Sequence, residues 1–214
     1  MIKLLISDLD DTLYDWTGFF VPAFYAMADE IARMTGIDEK KLLNEYMAAH
    51  QRLGSVEYPY ATLELPSIKA YYNNAPAEEL KAALRPAFNV FNSVRESHLH
   101  LLPGVEEMLR ALTEMGVTLI AYTESSKENG FYRLMKLGIE PYFKHVYTFE
   151  SQFKSAYAVS EKVRTVQTKK PDVAVIERIC TGEGYDKSEV MYLGDNLTKD
   201  MYMAKTAGVT AVWM

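Results

Sequence analysis

The sequence predicts an α/β protein: a parallel sheet with helices on both faces, interrupted after its first strand by an all-helical insert. Three observations predict it. Short apolar runs alternate with segments of helical periodicity from Leu101 to the end of the chain. The first apolar run, Lys3 to Ser7, stands apart from the others, followed by a long stretch of helical pattern reaching Leu99. Polar clusters, namely Asp8/Asp10, Thr123, Lys170 and Asp195/Asp200, follow or abut the expected strands in order.

Lys3 to Ser7 reads as a buried strand that breaks into the polar loop Asp8-Leu9-Asp10-Asp11-Thr12. Behind Thr17 as N-cap, Phe20, Phe24, Met27, Ile31 and Met34 recur at helical spacing, and Gly36 stops the helix. Asp38 caps a second helix carrying Leu42, Leu43, Tyr46, Met47 and Leu53, ended by Gly54. Val56 to Asn74, Tyr-rich and holding Pro59 and Pro66, reads as loop plus a short helix. Leu80, Leu84, Phe88, Phe91 and Val94 mark a further helix that Pro86 is expected to kink.

From Leu101 the pattern changes. Pro103-Gly104 opens a helix through Leu112 and Met115 that Gly116 ends, and Val117 to Tyr122 is a strand entering Thr123-Glu124-Ser125-Ser126. A helix around Phe131 to Leu137 leads to a strand at His145 to Phe149. The stretch from Phe143 to Lys169, with Lys154, Lys162 and Arg164, is longer than such a connection needs and reads as a longer helix and loop. After Pro171 a helix carries Val175, Ile176 and Ile179 on one face. Val190 to Leu193 is a strand entering Gly194-Asp195-Asn196, Met201 to Ala207 is helix, and Thr210 to Trp213 is the last strand. The expected organisation is a core of residues 1–14 and 100–214 with a helical cap of residues 15–99. No internal repeat or low-complexity tract interrupts it.

Composition narrows the function. The 214 residues carry 23 basic and 29 acidic side chains, a net charge of −6, which argues against a nucleic-acid partner, since phosphate neutralisation needs clustered Lys and Arg. One cysteine, Cys180, excludes an intramolecular disulfide and a multi-cysteine zinc site. No run of about 18 apolar residues provides a helical membrane span. The start of the chain meets Asp8 too early for a secretory signal, so a cytoplasmic location is expected.

In open parallel sheets, ligands bind beyond the carboxyl ends of the strands, where the polar clusters fall. Each cluster has an ordinary reading: Asp-x-Asp as turn chemistry, Thr123 as a strand-end hydroxyl, Lys170 as a solvated charge, Gly-Asp-Asn as a turn. Their ordered combination points instead to chemistry. Grouped aspartates repel, so a site that collects them needs a cation or raised pKa values. Hard carboxylate oxygens without His or Cys suit Mg²⁺ better than zinc. A carboxylate is also a competent covalent nucleophile, and a second one two residues on can protonate a leaving alkoxide. A lysine and a hydroxyl would hold phosphoryl oxygens while charge develops.

Asp8-Leu9-Asp10-Asp11-Thr12-Leu13 resembles the first motif of the haloacid dehalogenase-like (HAD) superfamily of hydrolases. Ala121-Tyr122-Thr123 resembles its second, Lys170-Pro171-Asp172 its third and Gly194-Asp195-Asn196-Leu197-Thr198-Lys199-Asp200 its fourth, so the likeness spans the chain outside the insert. The resemblance implies a Rossmann-like core with a type 1 helical cap, as in phosphoglycolate phosphatase-like enzymes. It makes Asp8 the nucleophile and a Mg²⁺ ligand, and Asp10 the general acid/base that lends its backbone carbonyl to the metal. Asp195 would complete the metal shell. Thr123 would bind the phosphoryl group, Lys170 would neutralise it, and Asp200 would orient Lys170 or metal-bound water. Dehalogenases resembling this fold lack an acid/base Asp at the second position, because halide leaves without a proton. Asp10 therefore favours a Mg²⁺-dependent phosphatase that acts on a small phosphorylated metabolite through an aspartyl-phosphate. Alternatives are a phosphomutase of the same superfamily and a non-catalytic phospho-accepting module.

Three features depart from the family pattern. Glu124 stands where many relatives have Asn or Gly, and its extra carboxylate beside the expected phosphate either repels anions or pairs with a basic substrate group. The long connection before the third motif leaves Lys169 as an alternative to Lys170. The chain stops at Met214, where relatives commonly continue. Outside the motifs, Tyr58, Tyr60, Tyr71 and Tyr72 read as packing within the insert. Tyr14 and Trp16 fit substrate contact or packing equally. His98 and His100 read as an exposed face of an extended segment, and Cys180 as inert core.

Overall fold

The computed structural model describes residues 1–58, 60–150 and 160–214; Pro59 and Lys154 lie outside them. The chain divides into two compact units, Met1–Trp16 with Leu99–Met214, and Thr17–His98.

The first unit is built on a six-stranded sheet: β1 (Leu4–Ser7), β2 (Thr118–Ser126), β3 (His145–Phe149), β4 (Val163–Val166), β5 (Val190–Gly194) and β6 (Thr210–Trp213). Every pairing is parallel, in the spatial order β4-β3-β2-β1-β5-β6. The chain fills one side of β1 through β4 and then crosses to the other for β5 and β6. The carboxyl end of β1 is thus the topological switch point, where open α/β sheets leave a crevice. All four β1 residues are buried, as a strand covered on both faces requires. Leu4 and Ile6 share an apolar cluster with Ile120, Tyr122, Tyr192, Val175, Ile176, Ile179 and Ala204. Those last residues belong to α8 (Val173–Glu183) and α9 (Tyr202–Ala207), while α6 (Val105–Glu114) and α7 (Lys127–Lys136) pack on β2. This is the expected Rossmann-like layering, and Cys180 is buried within it.

The second unit holds α1 from Thr17 onward (the helix is Trp16–Thr35), α2 (Glu39–Leu53), α3 (Pro66–Tyr71), α4 (Ala77–Ala83) and α5 (Arg85–His98). It has its own core, in which Met27, Ile31, Leu42, Tyr46, Leu65, Ile68, Leu80 and Leu84 are buried together. Asp38 caps α2 as expected, accepting from Lys41 N at 2.9 Å, and Gly54 closes it in the left-handed conformation. Tyr58 and Tyr72 pack against this core, whereas Tyr60 and Tyr71 are about half exposed.

Several expectations are corrected. Thr17 lies inside the first turn of α1, which begins at Trp16. Pro86 does not kink a helix: α4 ends before it, and Pro86 sits in the first turn of α5, where its missing N–H costs nothing. His98 is the last residue of α5 rather than part of an extended segment, and its Nδ1 lies 2.9 Å from Val94 O. The segment before the third motif contributes β4 where helix and loop were expected. Four residues with Arg164 in the middle make a weak strand pattern, typical of a sheet edge kept from further pairing. β2 runs on through Ser126 with a register shift after Tyr122, so the strand extends four residues past its expected end at Tyr122.

Candidate active site

β1 delivers Asp8 to the switch point, and the Asp8 N–H is fixed by Leu193 O of β5 at 2.8 Å. The chain then turns tightly: Leu13 N donates to Leu9 O at 2.8 Å, and Asp11 takes a positive φ of 55° that short polar residues tolerate. The turn brings Thr12 back to Asp8, donating its hydroxyl to Oδ2 at 3.2 Å. Asp8 is 7% exposed. Burial, together with the Asp200 and Asp10 charges, pushes its carboxyl up to about 7 against the pull of Lys170.

Lys170 enters the site and Lys169 does not; the Lys169 ammonium lies over the Phe149 ring, 5.6 Å from its centroid. Lys170 Nζ donates to Asp8 Oδ1 at 2.5 Å and Asp200 Oδ1 at 2.9 Å. Burial works against its charge, but Asp8, Tyr192 and Asp200 outweigh it and hold the ammonium well above the usual lysine range. Two strand tyrosines box it in, with ring centroids 4.9 Å (Tyr122) and 5.6 Å (Tyr192) from Nζ.

Asp200 is 2% exposed and fully engaged. Its Oδ1 also accepts from Tyr192 OH at 2.9 Å, and its Oδ2 from Asn196 N at 3.2 Å. Gly194 makes this possible, because a Cβ there would lie 2.6 Å from Asp200 Cβ and Cγ. Asn196 caps a π-helical turn, Leu197–Met201, accepting from Thr198 N and Lys199 N and carrying Asp200 back over the end of β5. Asp195 is partly buried, and burial followed by the Asp200 charge raises its carboxyl. Its backbone carbonyl accepts from Trp213 Nε1 at 2.7 Å.

Carboxylate oxygens of Asp8, Asp195 and Asp200 lie within 4.8 Å of one another. Three carboxylates facing one lysine leave excess negative charge in a largely buried place, and the all-oxygen donor set fits a hard divalent cation such as Mg²⁺. The Asp10 side chain stands apart from this cluster. Its Oδ1 accepts from Tyr14 OH and Arg133 Nη1, each at 2.8 Å, and its Oδ2 from Ser125 Oγ at 2.7 Å and Thr123 Oγ1 at 3.3 Å. Thr123 is fully buried and also accepts Ser125 N at 3.0 Å. Glu124 is neutralised within the protein by an ion pair with Lys199.

The residues singled out from sequence thus converge in one unit, with Asp8, Lys170, Asp195 and Asp200 forming one group and Asp10 and Thr123 a neighbouring one. Sequence reading missed Ser125, Arg133 and Tyr192. It also left Tyr14 undecided, although that residue is fully buried with its hydroxyl on Asp10. Arg133 did leave a signal: it occupies the inward face of α7 with Gly130 and Leu134, where the helical period calls for an apolar side chain.

A family described as haloacid dehalogenase-like hydrolase matches residues 5–214. Among curated proteins, the chain is 27% identical over 224 residues to a glyceraldehyde 3-phosphate phosphatase of Pyrococcus abyssi, covering all of this chain and 81% of that protein. It is 27% identical over 212 residues to a phosphoglycolate phosphatase of Vibrio vulnificus, covering 97% and 81%. Among solved structures, a 2-haloacid dehalogenase from Pseudomonas syringae pv. Tomato superposes with a TM-score of 0.66 at 24% identity, covering 100% of this chain and 86% of that one.

Proposed function

The chain belongs to the haloacid dehalogenase-like hydrolase family, and from that premise we propose that it is a Mg²⁺-dependent phosphatase of small phosphorylated metabolites, with Asp8 as nucleophile. The observation that carries the reading is the arrangement at Asp8: a buried carboxylate at the end of β1, 2.5 Å from Lys170, in a cluster with Asp195 and Asp200.

The Asp8 carboxylate attacks phosphorus, a P–O bond to Asp8 forms, and the bond to the ester oxygen breaks. Asp10 gives its proton to the departing alkoxide. It then takes a proton from the water that attacks the aspartyl-phosphate, so inorganic phosphate leaves and Asp8 is restored. Lys170 neutralises charge on the phosphoryl oxygens, and Asp200 with Tyr192 fixes the position of its ammonium. Thr123 contributes a hydroxyl to the phosphoryl group. Asp8 and Asp195 would hold Mg²⁺ with the Asp10 carbonyl, and Asp200 adds its charge beside them. When bound, the ion supplies neutralisation of the phosphoryl oxygens and of the two aspartates.

Asp10 is what separates this from dehalogenation, since a halide needs no proton. The names of the relatives support phosphate esters as the substrate class, with glyceraldehyde 3-phosphate and phosphoglycolate as the first compounds to try. Residues 15–99 are read as the cap that would close over such a substrate and exclude water. The test is release of inorganic phosphate from these two compounds with Mg²⁺. Turnover that stops on chelation supports the reading. Isomer interconversion without phosphate release would make the protein a mutase.

A further inference from the structure

Arg133 is a buried arginine, 4% exposed, outside the Asp8 cluster. Its Nη1 donates both to Asp10 Oδ1 at 2.8 Å and to Ser125 Oγ at 2.9 Å. Ser125 Oγ in turn donates to Asp10 Oδ2 at 2.7 Å, so guanidinium, hydroxyl and carboxylate form a closed ring. Tyr14 OH adds a further donor to Oδ1. A guanidinium loses much solvation when buried, and an aliphatic side chain at this position of α7 would pack without that cost. The charge is kept where it meets the Asp10 carboxylate.

We propose that Arg133, with Ser125, is the positioning device for Asp10, setting the carboxylate orientation from which it exchanges protons with the leaving oxygen and with water. This rests on the reading of Asp10 as general acid/base. Orientation matters because proton transfer needs the carboxyl within hydrogen-bond reach of the reacting oxygen. The ring supplies it from both sides. With Oδ1 held by Arg133 and Oδ2 by Ser125, rotation of the carboxylate breaks two charge-assisted bonds together. Ser125 lies on β2 and Arg133 on α7, so the Asp10 side chain is held by elements other than the loop that carries it.

The experiment compares Arg133→Gln, Asp10→Asn and the double variant on glyceraldehyde 3-phosphate, a poor leaving group, and on p-nitrophenyl phosphate, a good one. Arg133→Gln is expected to lower kcat on the alkyl ester about 10- to 100-fold with KM unchanged and to lower the aryl ester far less. In the Asp10→Asn background it is expected to cost nothing further. Equal losses on both esters, or a full additional loss in the double variant, would make Arg133 merely structural and overturn the proposal. Arg133→Lys, which keeps the charge without the guanidinium's shape and reach, serves if glutamine does not fold. A crystal structure of either variant decides independently of turnover. The Asp10 carboxylate is expected to leave Ser125, and an unmoved Asp10 overturns the proposal. If Asp10→Asn itself leaves alkyl-ester turnover intact, the acid/base reading fails, while the crystal structure still judges the clamp.

Discussion

Lys170 Nζ reaches Asp8 Oδ1 at 2.5 Å across 162 positions of sequence, and the same ammonium holds Asp200 at 2.9 Å. One buried cation thus ties the end of β1 to the turn after β5. Around it, Tyr192 and Asn196 satisfy what remains of Asp200, so the group nearest Asp8 is fixed before any substrate arrives. This preorganisation suits phosphoryl transfer, where positioning and charge stabilisation make up most of the catalysis.

Lys170→Met leaves Asp8 and Asp200 buried without their cation. Removing one partner of a buried pair typically costs about 3–5 kcal/mol. Urea unfolding of the metal-free variant is expected to show a loss of that order, together with loss of phosphatase turnover.

Asp8→Asn is expected to stabilise the metal-free protein while abolishing turnover. The folded Asp8 carboxyl lies at about 7, above its unfolded value. The folded state therefore binds more protons, and this group's contribution to stability falls as pH rises from about 4 through 7. A thermal scan at pH 7.5 is expected to place the variant about 5 °C above the metal-free parent, with the gap shrinking at pH 5. A variant less stable than the parent at pH 7.5 would contradict this.

Gly194→Ala drives a methyl group into Asp200, whose Cβ and Cγ would lie 2.6 Å away. The collision is with a buried, fully hydrogen-bonded side chain that cannot swing clear. A loss of about 1–3 kcal/mol is expected by denaturant titration, together with weaker Mg²⁺ binding by calorimetry.

Asp10→Asn removes the proposed proton donor and keeps the shape. Turnover is expected to fall most for alkyl esters and least for p-nitrophenyl phosphate, whose leaving group departs without a proton. Equal losses across a leaving-group series would count against the acid/base role.

The strand-end residues were legible because each follows a short apolar run, and a buried parallel strand advertises itself that way: Leu4–Ser7 before Asp8, Val190–Leu193 before Asp195. Helix signals such as Asp38 and Gly54 were equally local and equally readable. The β4 strand was not, since four residues with Arg164 among them carry no burial pattern, and the strand exists through its pairing with β3. Nor was the environment of Asp10. Tyr14 is four residues away, but Thr123, Ser125 and Arg133 come from a distant stretch, and no spacing rule joins a helix arginine to a loop aspartate. Glu124 shows the same limit. As a sequence letter it is a stray negative charge, and only the turn after β5 brings Lys199 to it.

We propose Asp8 as the nucleophile of a metal-dependent phosphatase. The direct measurement is hydrolysis of p-nitrophenyl phosphate with Mg²⁺, with chelator, and by Asp8→Asn protein shown to be folded. Release with Mg²⁺ that chelation abolishes and that the variant lacks is expected. Full activity in Asp8→Asn, or release indifferent to chelation, would contradict it.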